Sequence, residues 1–192
     1  MTESRRFQIA SNDHNGKRAD FTDNSSTGES QIATSNSIEH DETEIRRMIA
    51  AWSSALESKD LDALTADYLP ETVLFDGIPP YKTIGKDAIR AIWANCLPYF
   101  PEQFKSEHRD ITIQVSGDIA LVYCVHHIVP TPADDPSGQT WMRVSIGYRR
   151  VAGEWKVVHE HFSLPFNPMN NQVWFITNPD VADMPDYGQL PT

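Results

Sequence analysis

Apolar residues recur every three or four positions in three stretches of the N-terminal half of the chain. The first stretch comprises Ile45, Met48, Ile49, Trp52 and Leu56. This spacing places them on one face of a helix that begins near Glu39. A second, shorter helix over Leu61, Leu64 and Tyr68 is predicted to end at Pro70. The third comprises Ile89, Ile92, Trp93 and Cys96 and is predicted to end at Pro98.

Beyond Pro101 the pattern changes to runs rich in β-branched and aromatic residues, which predict strands. Two hairpins are expected, from Ile111 to Val129 and from Trp141 to Leu164, the second turning at Ala152-Gly153. Val73 to Phe75 is a short strand candidate ahead of a loop that contains two adjacent prolines. Helices followed by antiparallel hairpins indicate an α+β domain with the helices on one face of a curved sheet.

The two ends of the chain lack this periodicity. Residues 1–38 are rich in Ser, Asn, Asp, Thr and Gly, which predicts a flexible leader. Residues 39–166 form the predicted domain. Residues 167–192 combine several prolines with the apolar run from Val173 to Ile176, so we expect an irregular tail that packs on the domain.

Composition narrows the range of partners. The formal net charge of −11, from 27 acidic and 16 basic residues, repels phosphate backbones and anionic lipids. We therefore expect neither nucleic acid nor a membrane as a partner. No apolar stretch approaches the length of a membrane span, and no signal peptide is apparent, so a cytoplasmic protein is expected. Cys96 and Cys124 lie far apart in apolar runs and are expected to be buried.

Three stretches carry a resemblance to a known family: residues 58–64 with the sequence SKDLDAL, the Asp and Pro-Pro pattern from Val73 to Gly85, and the hairpin from Arg143 to Pro165. They resemble the SnoaL-like, ketosteroid-isomerase-like branch of the NTF2-like superfamily. The resemblance implies a cone of three N-terminal helices packed on a curved, mostly antiparallel sheet around a pocket, and a homodimer formed through the sheet. It does not imply one reaction, because the superfamily includes isomerases, dehydratases, cyclases and non-catalytic adaptors.

Asp76 is the first candidate for acid and base chemistry. It follows three apolar strand residues and opens the Pro-Pro loop, where a carboxyl group at the mouth of a cone has its pKa raised by burial. The alternative is an ordinary turn residue that bonds its own backbone, as Asp-Gly sequences favour.

The last hairpin supplies the other candidates. A two-residue turn at Ala152-Gly153 puts Arg143 opposite Phe162 and Ser145 opposite Glu160, so that Arg143 and Glu160 share a face. Arg143 is then an anion clamp and Glu160 a base, or the two form a structural ion pair. A single β-bulge reverses part of this assignment.

On that register, His159 and His161 lie on the other face, with Val144 and Ile146. They are candidates for proton transfer, for pocket lining, or for structural hydrogen bonds at a dimer contact. Two His at this spacing are also found at cupin metal sites, which need a carboxylate a few residues further on, where Pro165 stands instead. His126 or His127 supplies a third ligand only in a suitable strand register, and helices ahead of the sheet are not typical of a cupin, so we expect no metal.

Tyr81, Trp93, Tyr123 and Trp141 are expected to line an apolar pocket together with His159, with plain core packing as the alternative for each. No glycine-rich phosphate loop, nucleophile elbow or Walker pattern is present, and no cofactor is expected. The sequence favours a cofactor-independent isomerase, lyase or hydrolase of a small hydrophobic molecule. Its alternative is a non-catalytic ligand-binding or dimeric assembly module on the same fold.

Overall fold

The computed structural model describes residues 25 to 180 of the chain, and their side chains from residue 37 onward. Its α-helices are α1 (Ser25–Glu57), α2 (Leu61–Leu64) and α3 (Lys86–Cys96), and 3₁₀ turns follow at Leu97–Tyr99 and Pro136–Gly138. α1 begins at Ser25 rather than near Glu39, so the end of the predicted leader is helical. The rest of that leader prediction falls outside the described residues.

The second helix is shorter than its apolar spacing predicts. Asp60 caps it by accepting hydrogen bonds from the backbone N–H groups of Asp62 and Ala63, and the helix ends at Leu64. Tyr68 therefore does not belong to this helix but is the first residue of a strand, where it pairs with Val157. Pairing with a distant strand buries the Tyr68 ring and overrides the helical spacing of three residues.

Six strands form one sheet: β1 (Tyr68–Phe75), β2 (Thr83–Ile84), β3 (Gln103–Ser116), β4 (Ile119–Thr131), β5 (Met142–Val151) and β6 (Glu154–Ser163). Their order is β2-β1-β6-β5-β4-β3, and every neighbouring pair is antiparallel except β1 with β6. Two short strands, β7 (Phe166–Asn167) and β8 (Gln172–Val173), form a separate hairpin. The predicted α+β fold, with helices on a mostly antiparallel sheet, is confirmed.

The core lies between the helices and one face of the sheet, which we call the inner face. Its buried side chains come from α1, α3 and all long strands and include Ile45, Met48, Ile89, Leu74, Val122, Val144, Ile146, Trp155 and Phe162. Burying one such side chain fully contributes roughly 1.5–3 kcal/mol. The alternation of buried and exposed residues along β4 shows that its other face, the outer face, is largely exposed.

A β-bulge at Val158 decides which side chains of β6 reach the inner face. Gly147 pairs with His159 while Tyr148 pairs with Val157, so Val158 has no partner of its own on β5. The extra residue shifts the register by one, and Glu160 pairs with Ile146 instead of Ser145. The predicted common face for Arg143 and Glu160 is therefore wrong: Glu160 is buried inside, and Arg143 is exposed on the outer face.

The segment after β6 contacts Trp141, which directly precedes β5, and Arg109 of β3. The backbone N–H of Trp141 donates to the carbonyl of Ile176, and Asp180 forms an ion pair with Arg109 at 2.8 Å. Residues 181 to 192 of the predicted tail fall outside the described part of the chain. Within the described residues, no helix combines the length and the apolar character needed to cross a membrane.

Candidate functional site

Two cavities lie between the helices and the inner face. The larger has a volume of about 210 Å³ and is lined mainly by apolar side chains of α1, α3 and the sheet. Its aromatic lining consists of Trp52, Trp93, Phe100 and Phe162, and its ionisable lining of Asp76, Cys96 and His126. The smaller cavity, of about 40 Å³, is lined by Tyr68, His108, Tyr148 and Glu160 among others, and Trp52 borders both. No Lys or Arg lines the larger cavity within the described residues.

Asp76 lies at the end of β1, two residues after the buried Leu74, so both side chains point to the inner face. The carboxyl group is half-buried. Burial raises its pKa, and the backbone N–H groups of Ile78 and Gly77 oppose this only in part. Within residues 37 to 180 it forms no ion pair. It is an acid or base that borders an apolar cavity.

Among the carboxyl groups of residues 37 to 180, that of Glu160 is the most deeply buried, with 2% of the residue's surface exposed. Burial raises its pKa to about 7, while the hydrogen bond from Tyr68 lowers it and the nearby charge of Asp76 raises it. The Tyr68 hydroxyl donates to Oε2 of Glu160, and the pKa of Tyr68 is raised well above its usual range by burial and by this carboxylate. Glu160 is thus a second proton-holding group, in contact with the smaller cavity.

Four polar side chains form a hydrogen-bonded chain beside the cavities. His126 Nε2 lies 2.9 Å from Ser106 Oγ, Ser106 Oγ lies 3.3 Å from Ser53 Oγ, and Ser53 Oγ lies 3.1 Å from His108 Nδ1. Burial lowers the pKa of His126 to about 3 and that of His108 to about 4. Both rings are therefore neutral at physiological pH.

Two tryptophans contribute indole groups whose hydrogen-bonding capacity is unused. Nε1 of Trp93 and Nε1 of Trp52 are buried, and neither makes a hydrogen bond with the residues described. The Trp52 indole lies close enough to the Tyr68 hydroxyl to lower its pKa slightly, but not in hydrogen-bonding geometry. An unpaired buried N–H costs stability, so each of these donors is a group that the described residues leave unsatisfied.

The structure brings some of the predicted residues together and separates others. Asp76 and Trp93 line the larger cavity, and Glu160 lines the smaller one. The residues that it places elsewhere are Tyr81, Tyr123, Trp141, Arg143, His159 and His161. These six residues line neither of the two cavities.

Each of these residues has a different environment outside the cavities. Tyr81 is 83% exposed in the Pro-Pro loop, and Tyr123 is exposed on the outer face. Trp141 is buried against His127, with Arg109 above its ring. His159 donates from Nδ1 to the carbonyl of Val73 at 2.9 Å.

His161 lies beside Phe75 on the outer face, with ring centroids 5.8 Å apart. Both histidines of β6 are therefore on the face opposite Glu160, as the sequence predicted. Val144 and Ile146, expected to share their face, are on the inner face instead, because the bulge at Val158 shifts the register.

The sequence-based selection missed Tyr68, His126, His108, Ser53 and Ser106. Ser106 and His108 are two apart on a strand and share a face, and His108 pairs with His126. This alternation was the available signal. The intervening residues, Glu107 and Arg109, are polar too, and with few apolar residues in this part of the strand the sequence does not show which face is buried. Among the described residues, no group of three His, Cys, Asp or Glu is placed to hold a metal ion.

Comparisons with known proteins agree with this architecture. The family model of the SnoaL-like domain matches residues 45–167. An NTF2-like protein of unknown function from Pseudomonas putida is 33% identical, with a TM-score of 0.68 over 73% of this chain and 98% of that one. No curated protein matches the chain.

Two more distant structures share the fold. A protein provisionally named scytalone dehydratase, from Novosphingobium aromaticivorans, is 19% identical, with a TM-score of 0.58 over 67% of this chain and 86% of that one. A provisionally named dehydratase of the NTF2-like family from Streptomyces avermitilis is also 19% identical, with a TM-score of 0.58 over 67% of this chain and 99% of that one.

Proposed function

The chain belongs to the SnoaL-like domain family of the NTF2-like superfamily, and we propose that it is a cofactor-independent enzyme that binds a small hydrophobic molecule in its larger cavity and moves a proton with Asp76. The observation that carries the proposal is the position of Asp76, a half-buried carboxyl group without a cationic partner at the wall of an apolar cavity. A base in such a place is more basic than one in water, which favours proton abstraction near neutral pH.

The lining fits the other requirements of an isomerase, lyase or hydrolase of this kind. Trp52, Trp93 and Phe162 offer flat apolar surfaces on which a ring can pack. The free Nε1 of Trp93 is a donor suited to a ligand oxygen on which negative charge develops when the proton leaves. Glu160 acts from the smaller cavity as a second acid, because a pKa of about 7 lets it hold or release a proton near neutral pH.

The test is a thermal-shift screen of steroids, aromatic polyketides, epoxides and small carboxylates, followed by turnover assays on every compound that binds. Wild type is compared with Asp76→Asn and Glu160→Gln, and with Asp118→Asn, which changes an exposed Asp in a hairpin turn, as the control. We expect Asp76→Asn to keep binding and to lose at least about 100-fold in turnover, the usual contribution of a general base. Full turnover by Asp76→Asn contradicts the proposal.

A non-catalytic ligand-binding module is the second candidate. The observation that favours it is the closeness of the Asp76 carboxyl group to the backbone N–H groups of Gly77 and Ile78, an arrangement that also serves to shape the Pro-Pro loop. This candidate predicts compounds that stabilise wild type and Asp76→Asn equally and that neither protein converts.

We also propose that the chain forms a homodimer through the outer face of the sheet. Leu121, Tyr123 and Val129 are exposed there on one strand, and Phe75 is exposed on another. Exposed apolar residues on one sheet face favour a partner that covers them. Light scattering coupled to size-exclusion chromatography is expected to give a dimer for wild type and a monomer for Leu121→Lys, whereas monomeric wild type at micromolar concentration contradicts this proposal.

A further inference from the structure

His126 is buried, it lines the larger cavity, and one of its two ring nitrogens is hydrogen-bonded. It is 4% exposed on the inner face of β4 and lines the cavity together with Asp76 and Trp93. Its Nε2 is bonded to Ser106 Oγ at 2.9 Å. Among residues 37 to 180, no group bonds to its Nδ1, which leaves that nitrogen as the free polar atom of a residue that lines the cavity.

The hydrogen bonds among His126, Ser106 and Ser53 determine whether Nδ1 of His126 carries a hydrogen. Ser106 donates its hydroxyl hydrogen to Ser53, so it has no hydrogen left for His126. Nε2 of His126 must therefore carry the hydrogen and donate it to Ser106. The Ser53 hydroxyl also lies 3.1 Å from Nδ1 of His108, a second hydrogen-bond contact for the same oxygen. Donation thus runs from His126 to Ser106 and from Ser106 to Ser53.

A neutral imidazole carries one ring hydrogen, and burial keeps His126 neutral by lowering its pKa to about 3. With that hydrogen on Nε2, Nδ1 is a bare acceptor. Among the residues that line the cavity, His126 then offers an accepting nitrogen and Asp76 an accepting carboxylate, and Trp93 holds a buried Nε1 without a partner. No cationic side chain of the described residues lines this cavity to balance a negatively charged ligand.

We propose that His126 binds the ligand by accepting a hydrogen bond from a ligand hydroxyl group at Nδ1, so that the cavity selects an uncharged aromatic or cyclic molecule that carries a hydroxyl. Ser106, Ser53 and His108 are positioning residues that hold the ring and its tautomer. This inference rests on the proposed use of the larger cavity and names its substrate class. It does not depend on whether Asp76 performs chemistry.

The tautomer is tested first, without any ligand. Long-range ¹H–¹⁵N spectra of the ¹⁵N-labelled protein at pH 7.5 separate protonated from bare ring nitrogens, and the signals absent from His126→Phe assign the residue. We expect His126 to show a protonated Nε2 and a bare Nδ1. Ser106→Ala removes the acceptor and is expected to give a mixture of tautomers, whereas Ser54→Ala, on the exposed side of α1 next to Ser53, leaves the spectrum unchanged. A protonated Nδ1 in wild type overturns the proposal.

The ligand preference is tested with two probes of the same shape. 2-Naphthol carries a hydroxyl donor and 2-methoxynaphthalene does not, and quenching of the cavity tryptophans reports their binding to the full chain. We expect wild type to bind 2-naphthol about three- to tenfold more tightly, the usual value of one net hydrogen bond. His126→Phe should lose this preference, and Ser106→Ala should reduce it. His127→Phe, which changes the neighbouring outer-face residue, should keep it.

Equal affinity of wild type for both probes, or the same preference in His126→Phe, overturns the proposal, and so does a failure of both probes to bind. These outcomes differ from failure of the proposed enzyme function. The preference for the hydroxyl probe can depend on His126 while Asp76→Asn converts every substrate as well as wild type does. That pair of results supports the present inference and contradicts the role proposed for Asp76.

Discussion

The hydroxyl of Tyr68 donates a hydrogen bond to Oε2 of Glu160, and both side chains are buried in the interior. The bond favours the ionised carboxylate, but burial favours the neutral acid more strongly and raises the pKa of Glu160 to about 7. The folded protein therefore holds a proton on Glu160 at pH values where an unfolded chain, with a pKa near 4.5, has lost it.

The first prediction concerns the stability of Glu160→Gln as a function of pH. Because the folded pKa is raised, the contribution of Glu160 is fully favourable below pH 4.5 and is lost as the pH rises through about 7. Above that pH the buried charge costs the folded state about 3 kcal/mol. Urea unfolding of wild type and Glu160→Gln from pH 5 to 9 should show the variant gaining stability relative to wild type as the pH rises.

Glu154→Gln is the matched control for this series, since Glu154 lies on the same strand but is largely exposed. Its stability relative to wild type should change by no more than about 0.5 kcal/mol over the same pH range. If the difference between wild type and Glu160→Gln does not vary with pH, Glu160 does not titrate between the folded and unfolded states as described.

The second prediction isolates the Tyr68 hydroxyl. Tyr68→Phe removes the hydrogen bond that lowers the pKa of Glu160, so that pKa should rise further above 7. The pH at which Glu160 loses its stabilising contribution should move up with it. Tyr148→Phe, a buried tyrosine of the same cavity that does not bond to Glu160, should move it less. Equal effects of the two variants contradict a specific role for the Tyr68 bond.

The third prediction concerns acid. Burial lowers the folded pKa values of His108 and His126 to about 4 and about 3, below the ordinary value of 6.5. Their contribution to stability is present above pH 6.5 and is lost as the pH falls towards those values, because the unfolded chain takes up protons first. The full loss is about 3 kcal/mol for His108 and about 5 kcal/mol for His126. His126→Phe should flatten the acid limb of urea unfolding between pH 6.5 and 4, whereas His127→Phe should leave it steep.

The fold was predictable from the sequence because apolar spacing and turn residues repeat over whole elements. The exceptions are local features that depend on distant partners. Tyr68 continues the helical spacing of Leu61 and Leu64, yet its pairing with β6 makes it a strand residue. Val158 is an ordinary β-branched residue in a strand pattern, and nothing in its neighbours marks it as a bulge.

The candidate site was predicted only in part for the same reason. The position of Asp76 depends on local signals, a strand end followed by a loop, and the residue lies there in the structure, at the wall of the larger cavity. Glu160 lines the smaller cavity, but its expected partner Arg143 is on the opposite face because of the bulge at Val158. His126 and Ser106 come together through the pairing of β3 with β4, whose exact register the sequence does not encode locally.

The fourth prediction addresses a buried ion pair outside the cavities. Asp41 is 5% exposed, bonds Arg150 at 2.7 Å and accepts a hydrogen bond from Nε1 of Trp155. Asp41→Asn should reduce the free energy of unfolding by about 2–3 kcal/mol. This is at or just below the usual cost of breaking a buried ion pair, because the Arg150 side chain stays partly solvated. Asp118→Asn, which changes the exposed second partner of Arg150, should cost less than about 0.5 kcal/mol by urea unfolding.

The fifth prediction tests whether the larger cavity is the place where small molecules bind. Cys96 lies near the end of α3 and lines this cavity, and the preceding residue, Asn95, is exposed. Cys96→Phe directs a ring into the cavity of about 210 Å³ and should abolish the thermal shift produced by any compound that binds wild type. Asn95→Phe adds the same ring outside and should leave the shift unchanged. If Cys96→Phe folds and still binds such compounds with wild-type affinity, their site lies elsewhere, and the roles proposed for Asp76 and His126 fall with it.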